Sequence, residues 1–174
     1  NIEKFNVANA SLVQLTPTSE AATALLARVY RMNGDIQSAG KEAEELITSG
    51  KFSITDNPKV NTSEVILKFA CNLAERNGWW GWIMSYDART WNCFAAADDL
   101  LALISANDTR RNLFDFALAR STNNYVFSNK YSPNDDSDLL VSRIPEMYLI
   151  SAEAGNTARL TELQAKRKSN LSLD

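Results

Sequence analysis

Between Ser19 and Gly50 the apolar positions recur at helical spacing in two runs, broken at Asn33-Gly34. In the first run Ala22, Leu25, Leu26, Val29 and Tyr30 stand three and four residues apart, the period of one helix face. Thr16-Pro17-Thr18-Ser19-Glu20 supplies its start: a hydroxyl cap, a proline in the first turn and an early acid. In the second run Ile36, Ala39, Ala43, Leu46 and Ile47 share one side. Asp35 is placed to cap it, and Gly50 stands where a left-handed residue ends a helix. Lys41, Glu42, Glu44 and Glu45 fill the opposite face, which is expected to be solvated.

The pattern then changes. Ser63 to Phe69 alternates and is rich in β-branched residues, so it reads as a strand or extended segment. From Asn77 to Asn92, Gly78 and Gly81 stand beside tryptophans, which argues for a loop. Phe94 to Ile104 reads as a helix with Leu100, Leu101, Leu103 and Ile104 buried, ended by Asn107-Asp108-Thr109-Arg110. Tyr125 to Tyr131 is aromatic-rich and extended, and a polar loop from Asn134 to Asp138 leads to Leu139-Leu140-Val141. Arg143 to Ala154 reads as a helix with Pro145 near its first turn, where a missing N–H costs nothing. Ile144, Tyr148 and Ser151/Ala152 fall on one face, and Met147, Leu149 and Ile150 widen the stripe. Glu146 and Glu153 lie inside this apolar run, so they are expected to pair with Arg143 or with arginines of a neighbouring helix. The expected organisation is a single, mainly α domain over residues 1–174. It divides into a helical repeat unit at about 17–50, a loop and strand region at about 51–91, a helix at about 92–106 and a final helical unit at about 142–169.

Two antiparallel helices joined by a tight turn within about 34 residues have the size of one tetratricopeptide unit. Leu26-Ala27, Tyr30, Gly34-Asp35-Ile36 and Ala39 reproduce that repeat's internal offsets, while Lys51 stands near the place of its final proline. Ala27 and Ala39 would let the helices approach closely, and Tyr30 would fill the gap between neighbouring units. One repeat cannot bury its own face, so others must stack on it.

Composition removes several kinds of chemistry. The chain has no histidine, which removes His-based acid–base catalysis, Ser-His and Cys-His nucleophile pairs and most catalytic zinc sites. The formal net charge is −3, and basic residues are scattered apart from Lys166-Arg167-Lys168, which argues against nucleic acid as a partner. Cys71 and Cys93 form no C-x-x-C motif; they read as two buried small hydrophobes or, in an oxidising compartment, as a disulfide. No apolar run is long enough to span a bilayer. Neither a signal peptide nor a lipid-attachment cysteine stands at the start, so an exported protein would be present here in a mature or trimmed form.

The tryptophans form the candidate ligand site. All four, Trp79, Trp80, Trp82 and Trp91, lie in one short stretch. Sugars stack flat C–H faces on indole rings, while nearby polar groups orient their hydroxyls. Trp79, Trp80, Trp82, Tyr86 and Trp91 would supply the platforms, and Asp87, Arg89 and Asn92 the hydrogen bonds. The competing reading is that the rings plug gaps between helices. Asn134-Asp135-Asp136-Ser137-Asp138 has oxygens at alternate positions like half of a calcium loop. Leu139 stands in place of the turn glycine and Pro145 in place of the closing Glu, so it reads as a solvated turn and no metal site is expected. Asp98 and Asp99 are adjacent and point apart on a helix, and no carboxylate pair is placed for glycoside hydrolysis.

The stretch from Arg143 to Ala154 resembles the last helical unit of the SusD/RagB family, surface glycan-binding lipoproteins of Bacteroidetes-type bacteria. The Ser49-Gly50-Lys51-Phe52 helix end, Glu64-Val65-Ile66-Leu67, Asp108-Thr109-Arg110 after a Leu-rich helix, and Lys130-Tyr131 are similar to further family segments in the same order. The resemblance runs from about Ala10 to Arg167. The chain departs from the family in size: members hold four helical repeat units and two are visible here, the second short. The resemblance implies a tetratricopeptide-like helical scaffold of the SusD type with irregular loops and a few short strands. It implies a protein that captures oligosaccharide or polysaccharide at the outer membrane, held there by a lipid anchor outside this chain. The protein would then present the glycan to a SusC-like TonB-dependent transporter, with no cofactor and no reaction catalysed. A peptide-capturing member of the same family, and a helical-repeat scaffold that binds only another protein, are the alternatives.

Overall fold

The computed structural model describes residues 17–57, 62–69, 95–120, 125–130 and 138–169. They are mainly helical and fall into two compact units. The first holds α1 (Ser19–Met32), α2 (Ile36–Thr48), β1 (Val65–Phe69), β4 (Leu139–Arg143), α4 (Ile144–Glu153) and, as far as Lys166, α5 (Thr157–Arg167). The second holds α3 (Asp98–Ala102), β2 (Phe114–Arg120) and β3 (Tyr125–Ser128).

Local chemistry sets the helix ends. Thr18 is the N-cap of α1, and its Oγ1 accepts the Ala21 N–H at 3.1 Å. Pro17 therefore precedes the cap, in place of the first-turn position expected from the sequence. Asp35 caps α2, accepting the Ser38 N–H at 3.1 Å. Between them the chain reverses at Gly34, whose φ of +83° is natural only for glycine. The Gly34 N–H donates to the Arg31 carbonyl and the Asp35 N–H to the Tyr30 carbonyl, the paired bonds of a Schellman turn. The same turn recurs after α4. Gly155 has φ +108°, its N–H donates to the Ala152 carbonyl, and the Asn156 N–H donates to Ser151. The first unit thus contains two helical hairpins, α1–α2 and α4–α5, closed by one turn type.

The core of this unit lies among α1, α2 and α4, with α2 packed against both of the others. Small residues make that possible: Ala21, Ala24 and Ala27 on α1, and Ala39, Gly40 and Ala43 on α2, are all buried. Leu46 and Ile47 of α2, Ile66 of β1, and Ile144, Met147 and Ile150 of α4 supply the bulk. On α1 the expected stripe is displaced. Leu25, Leu26 and Val29 are exposed, because close approach to α2 selects the alanine stripe on the other side of the helix. On α4, Leu149 is exposed and Tyr148 half-buried, while Ile144, Met147, Ile150, Ser151 and Ala152 point inward.

β1 pairs with β4, and β4 runs without a loop into α4, Arg143 being both its last residue and the N-cap of the helix. In the second unit β2 and β3 pair antiparallel, Phe114 opposite Ser128 and Arg120 opposite Tyr125, with an irregularity between Asp115 and Arg120. The helix expected over 92–106 is a five-residue helix, α3, in the described part of that range. Ala97 offers no side-chain cap, and the Ala96 N–H is already given to the Val126 carbonyl at 2.8 Å. Ile104 is buried as expected, but Leu100 and Leu103 are exposed. No helix among the described residues is long and apolar enough to cross a membrane.

Candidate functional site

The residues singled out for ligand binding, Trp79, Trp80, Trp82, Tyr86, Arg89, Trp91 and Asn92, lie outside the described residues, as do Asp87, Cys71, Cys93 and the residues from Asn134 to Ser137. The structure does describe the chain on either side of the tryptophan-bearing stretch. In the first unit β1 enters it at Phe69, an exposed aromatic at the end of a strand paired to β4. In the second unit Ala96 leaves it, held to β3 by its backbone bond to Val126.

The root of β1 is built around a buried carboxylate. Glu64 is fully buried at the end of a single 3-10 turn, Thr62–Glu64. It accepts the Thr55 N–H at 2.7 Å and the Thr55 hydroxyl at 2.9 Å, and it pairs with the Arg143 guanidinium. A buried carboxylate is tolerable only when paired and hydrogen-bonded in this way. Sequence reading places Glu64 in a strand and gives it no partner; its cation stands far along the chain, at the β4–α4 junction.

Further ion pairs among the described residues join the helices. Arg28 of α1 holds Glu146 with two donors and also donates to the Val141 carbonyl of β4. Arg31 holds Glu153 in the same two-donor fashion. Both acids of the α4 apolar run therefore pair with arginines of a neighbouring helix, one of the two arrangements expected, and the hydrogen bonds to Glu146 and Glu153 hold the two guanidinium groups in their charged form more firmly than usual.

Glu44 corrects its expectation. It lies within a network, not on a solvated face: Arg159 of α5 donates to it at 2.9 and 3.0 Å, Asn156 donates at 2.9 Å, and the Ser151 hydroxyl adds a further bond. The Arg159 hydrogen bonds lead in lowering the Glu44 carboxyl to about 2. Arg159 also holds Glu162 at 3.0 Å and lies over the Tyr148 ring, 5.8 Å from its centroid. In the second unit burial pushes the Asp108 carboxyl up. The Arg110 hydrogen bonds outweigh that and leave it below its ordinary value. Arg110 donates onward to Ser169 at 2.9 Å.

These arrangements constrain the chemistry available. A glycoside hydrolase needs one carboxyl with a raised pKa facing a second, ionised one. Glu44 and Glu162 share Arg159, and Glu44 is moved in the opposite direction, so this pair is suited to holding helices together. Among the described residues no group of three or more His, Cys, Asp or Glu could hold a metal ion.

No family model matches the sequence, and no curated protein does. Solved structures do match in fold. A SusD superfamily protein from Bacteroides thetaiotaomicron VPI-5482 superimposes with a TM-score of 0.73 at 20% identity, over 88% of this chain and 42% of its own. A SusD-like carbohydrate binding protein from Bacteroides vulgatus ATCC 8482 gives 0.75 at 16% identity, over 99% of this chain and 42% of its own. Surface glycan-binding protein A from Bacteroides thetaiotaomicron, in complex with laminarihexaose, gives 0.67 at 19% identity, over 89% and 48%. The chain thus spans less than half the length of each of these structures.

Proposed function

We propose that this chain, which has the SusD-type fold, belongs to a cell-surface protein that binds oligosaccharide without turning it over. The observation that carries the reading is the fold itself, shared with a SusD-like carbohydrate binding protein and with a glycan-binding protein solved with laminarihexaose. The cluster of Trp79, Trp80, Trp82 and Trp91 supports it from the sequence, because indole faces are what a sugar's apolar faces stack on. Tyr86 adds a further platform, and Asp87, Arg89 and Asn92 orient the hydroxyls. The bound glycan passes to a SusC-like TonB-dependent transporter, and the protein is held at the outer membrane by a lipid anchor.

Titration with laminarihexaose and a panel of other oligosaccharides, followed by tryptophan fluorescence, tests the reading. A saturable change is expected, weakened about tenfold or less by Trp79→Ala or Trp80→Ala, since each stacked ring contributes on the order of 1 kcal/mol. Circular dichroism of the variants should be unchanged. Variants that bind as tightly as wild type, or that unfold, would remove the rings from the site. Chromatography of the incubated glycans should reveal no released fragments, and release abolished by mutating a single acid would replace binding with catalysis.

A further inference from the structure

The two Schellman turns of the first unit differ in the residue before their glycine. Ala154 precedes Gly155, whereas Asn33 precedes Gly34, so only the first turn carries an Asn-Gly step. Such a step is chemically labile. The glycine nitrogen, unhindered by a side chain, attacks the asparagine Cγ. The bond from Cγ to the side-chain amide nitrogen breaks, and that nitrogen leaves as ammonia with the proton of the backbone N–H. Water then opens the resulting succinimide at either carbonyl, giving aspartate or isoaspartate. Asn33 and Gly34 are both exposed, so water has access to the step. The closed turn opposes it in two ways. The Gly34 N–H is given to the Arg31 carbonyl at 3.1 Å, and the Asn33 ψ of −1° eclipses the Gly34 nitrogen with the Asn33 nitrogen. Ring closure needs that nitrogen eclipsed with the Asn33 Cβ instead. The rotation breaks the Gly34 bond and the 2.9 Å bond from the Asp35 N–H to the Tyr30 carbonyl, and it moves Asp35, the cap of α2.

We propose that Asn33 is a deamidation site held inert by the closed α1–α2 turn and released when that turn opens. The reaction then makes the opening permanent. Isoaspartate lengthens the backbone by one methylene, so the paired bonds to Arg31 and Tyr30 no longer fit together. Aspartate places a negative charge at the C-terminus of α1, where the helix dipole disfavours it. Either product weakens the turn that protected the asparagine. The α1–α2 hairpin thereby carries a covalent record of its own opening, and the α4–α5 hairpin, closed through Ala154-Gly155, does not.

The test incubates the whole chain and a synthetic peptide of residues 29–38 side by side in mildly alkaline buffer. Trypsin cuts after Arg31 and Lys41, and the fragment between them holds Asn33 as its only asparagine. Mass spectrometry reads its one-dalton gain, and chromatography separates the aspartate and isoaspartate forms. Conversion is expected to be at least about tenfold slower in the chain than in the peptide, because turn opening must come first. It should quicken in urea below the global unfolding midpoint. Asp35→Ala, which removes the α2 cap bond, should quicken it in the chain and not in the peptide. Asn33→Asp, which installs one product, should melt below wild type. Equal rates in chain and peptide would overturn the proposal, as would a rate in the chain that neither urea nor Asp35→Ala raises. An Asn33→Asp variant that melts with wild type would show that the aspartate product does not weaken the turn.

Discussion

Gly40 and Ala154 face each other so closely that a methyl group built on Gly40 would lie 2.3 Å from the Ala154 Cβ. Here α2 and α4 approach with no room for a side chain on one of them. Helix propensity alone favours Gly40→Ala by up to about 1 kcal/mol. The clash acts against it, and overpacking of this kind costs about 1–3 kcal/mol. Gly40→Ala is therefore expected to lower the urea midpoint, and Gly40→Ala combined with Ala154→Gly to recover part of the loss. An unchanged or raised midpoint in the single variant would place the helices further apart.

Glu64→Ala should be among the most destabilising single changes. It removes the carboxylate that pairs with Arg143 and accepts two bonds from Thr55, leaving a guanidinium with 20% side-chain exposure beside an apolar residue. Breaking a buried pair from one side costs about 3–5 kcal/mol. Equilibrium denaturation measures it, and a loss below about 1 kcal/mol would count against a buried pair.

Acid stability carries a signature of Glu44. Its folded-state carboxyl lies at about 2, below the ordinary 4.5, chiefly through the Arg159 hydrogen bonds. A depressed carboxyl contributes stability that is complete above the unfolded value and is lost as pH falls through the folded one. The Tm should fall between pH 4.5 and about 2, and Glu44→Gln should flatten that slope while lowering the Tm at pH 7. Glu20, lowered by Lys51, Asp35, lowered by Ser38, and Asp108, where Arg110 outweighs burial, act in the same direction and leave a residual slope. An identical acid limb in Glu44→Gln would remove Glu44 from the linkage.

Much of the helical unit is legible in the sequence. The Asp35 cap and the left-handed Gly50 follow from local rules, because caps and turns depend on a few adjacent residues, whereas the arginine partners of Glu146 and Glu153 are legible only as one of two arrangements open to acids in an apolar run. The inner face of α1 was less legible. Its alanines and its larger apolar residues both repeat at 3.6, so periodicity cannot choose between them, and hydropathy favours the larger set. Only the distance to α2 selects the alanines. The partners of Glu44 and Glu64 are illegible for a different reason: Arg159 and Arg143 are brought to them by tertiary structure. The tryptophan-bearing stretch lies outside the described residues, so its proposed role rests on side-chain chemistry and fold likeness.

The absence of a loop between β4 and α4 has a mechanical consequence. A strand and a helix usually meet through residues that can absorb rotation, yet Arg143 belongs to both elements and is tied to Glu64 at the root of β1. Arg28 spans the same junction, gripping the Val141 carbonyl on one side and Glu146 on the other. Torque applied to the strand pair therefore has no hinge in which to dissipate. The β1–β4 pair and α4 should open as one cooperative block, with their amides exchanging hydrogen at a common rate.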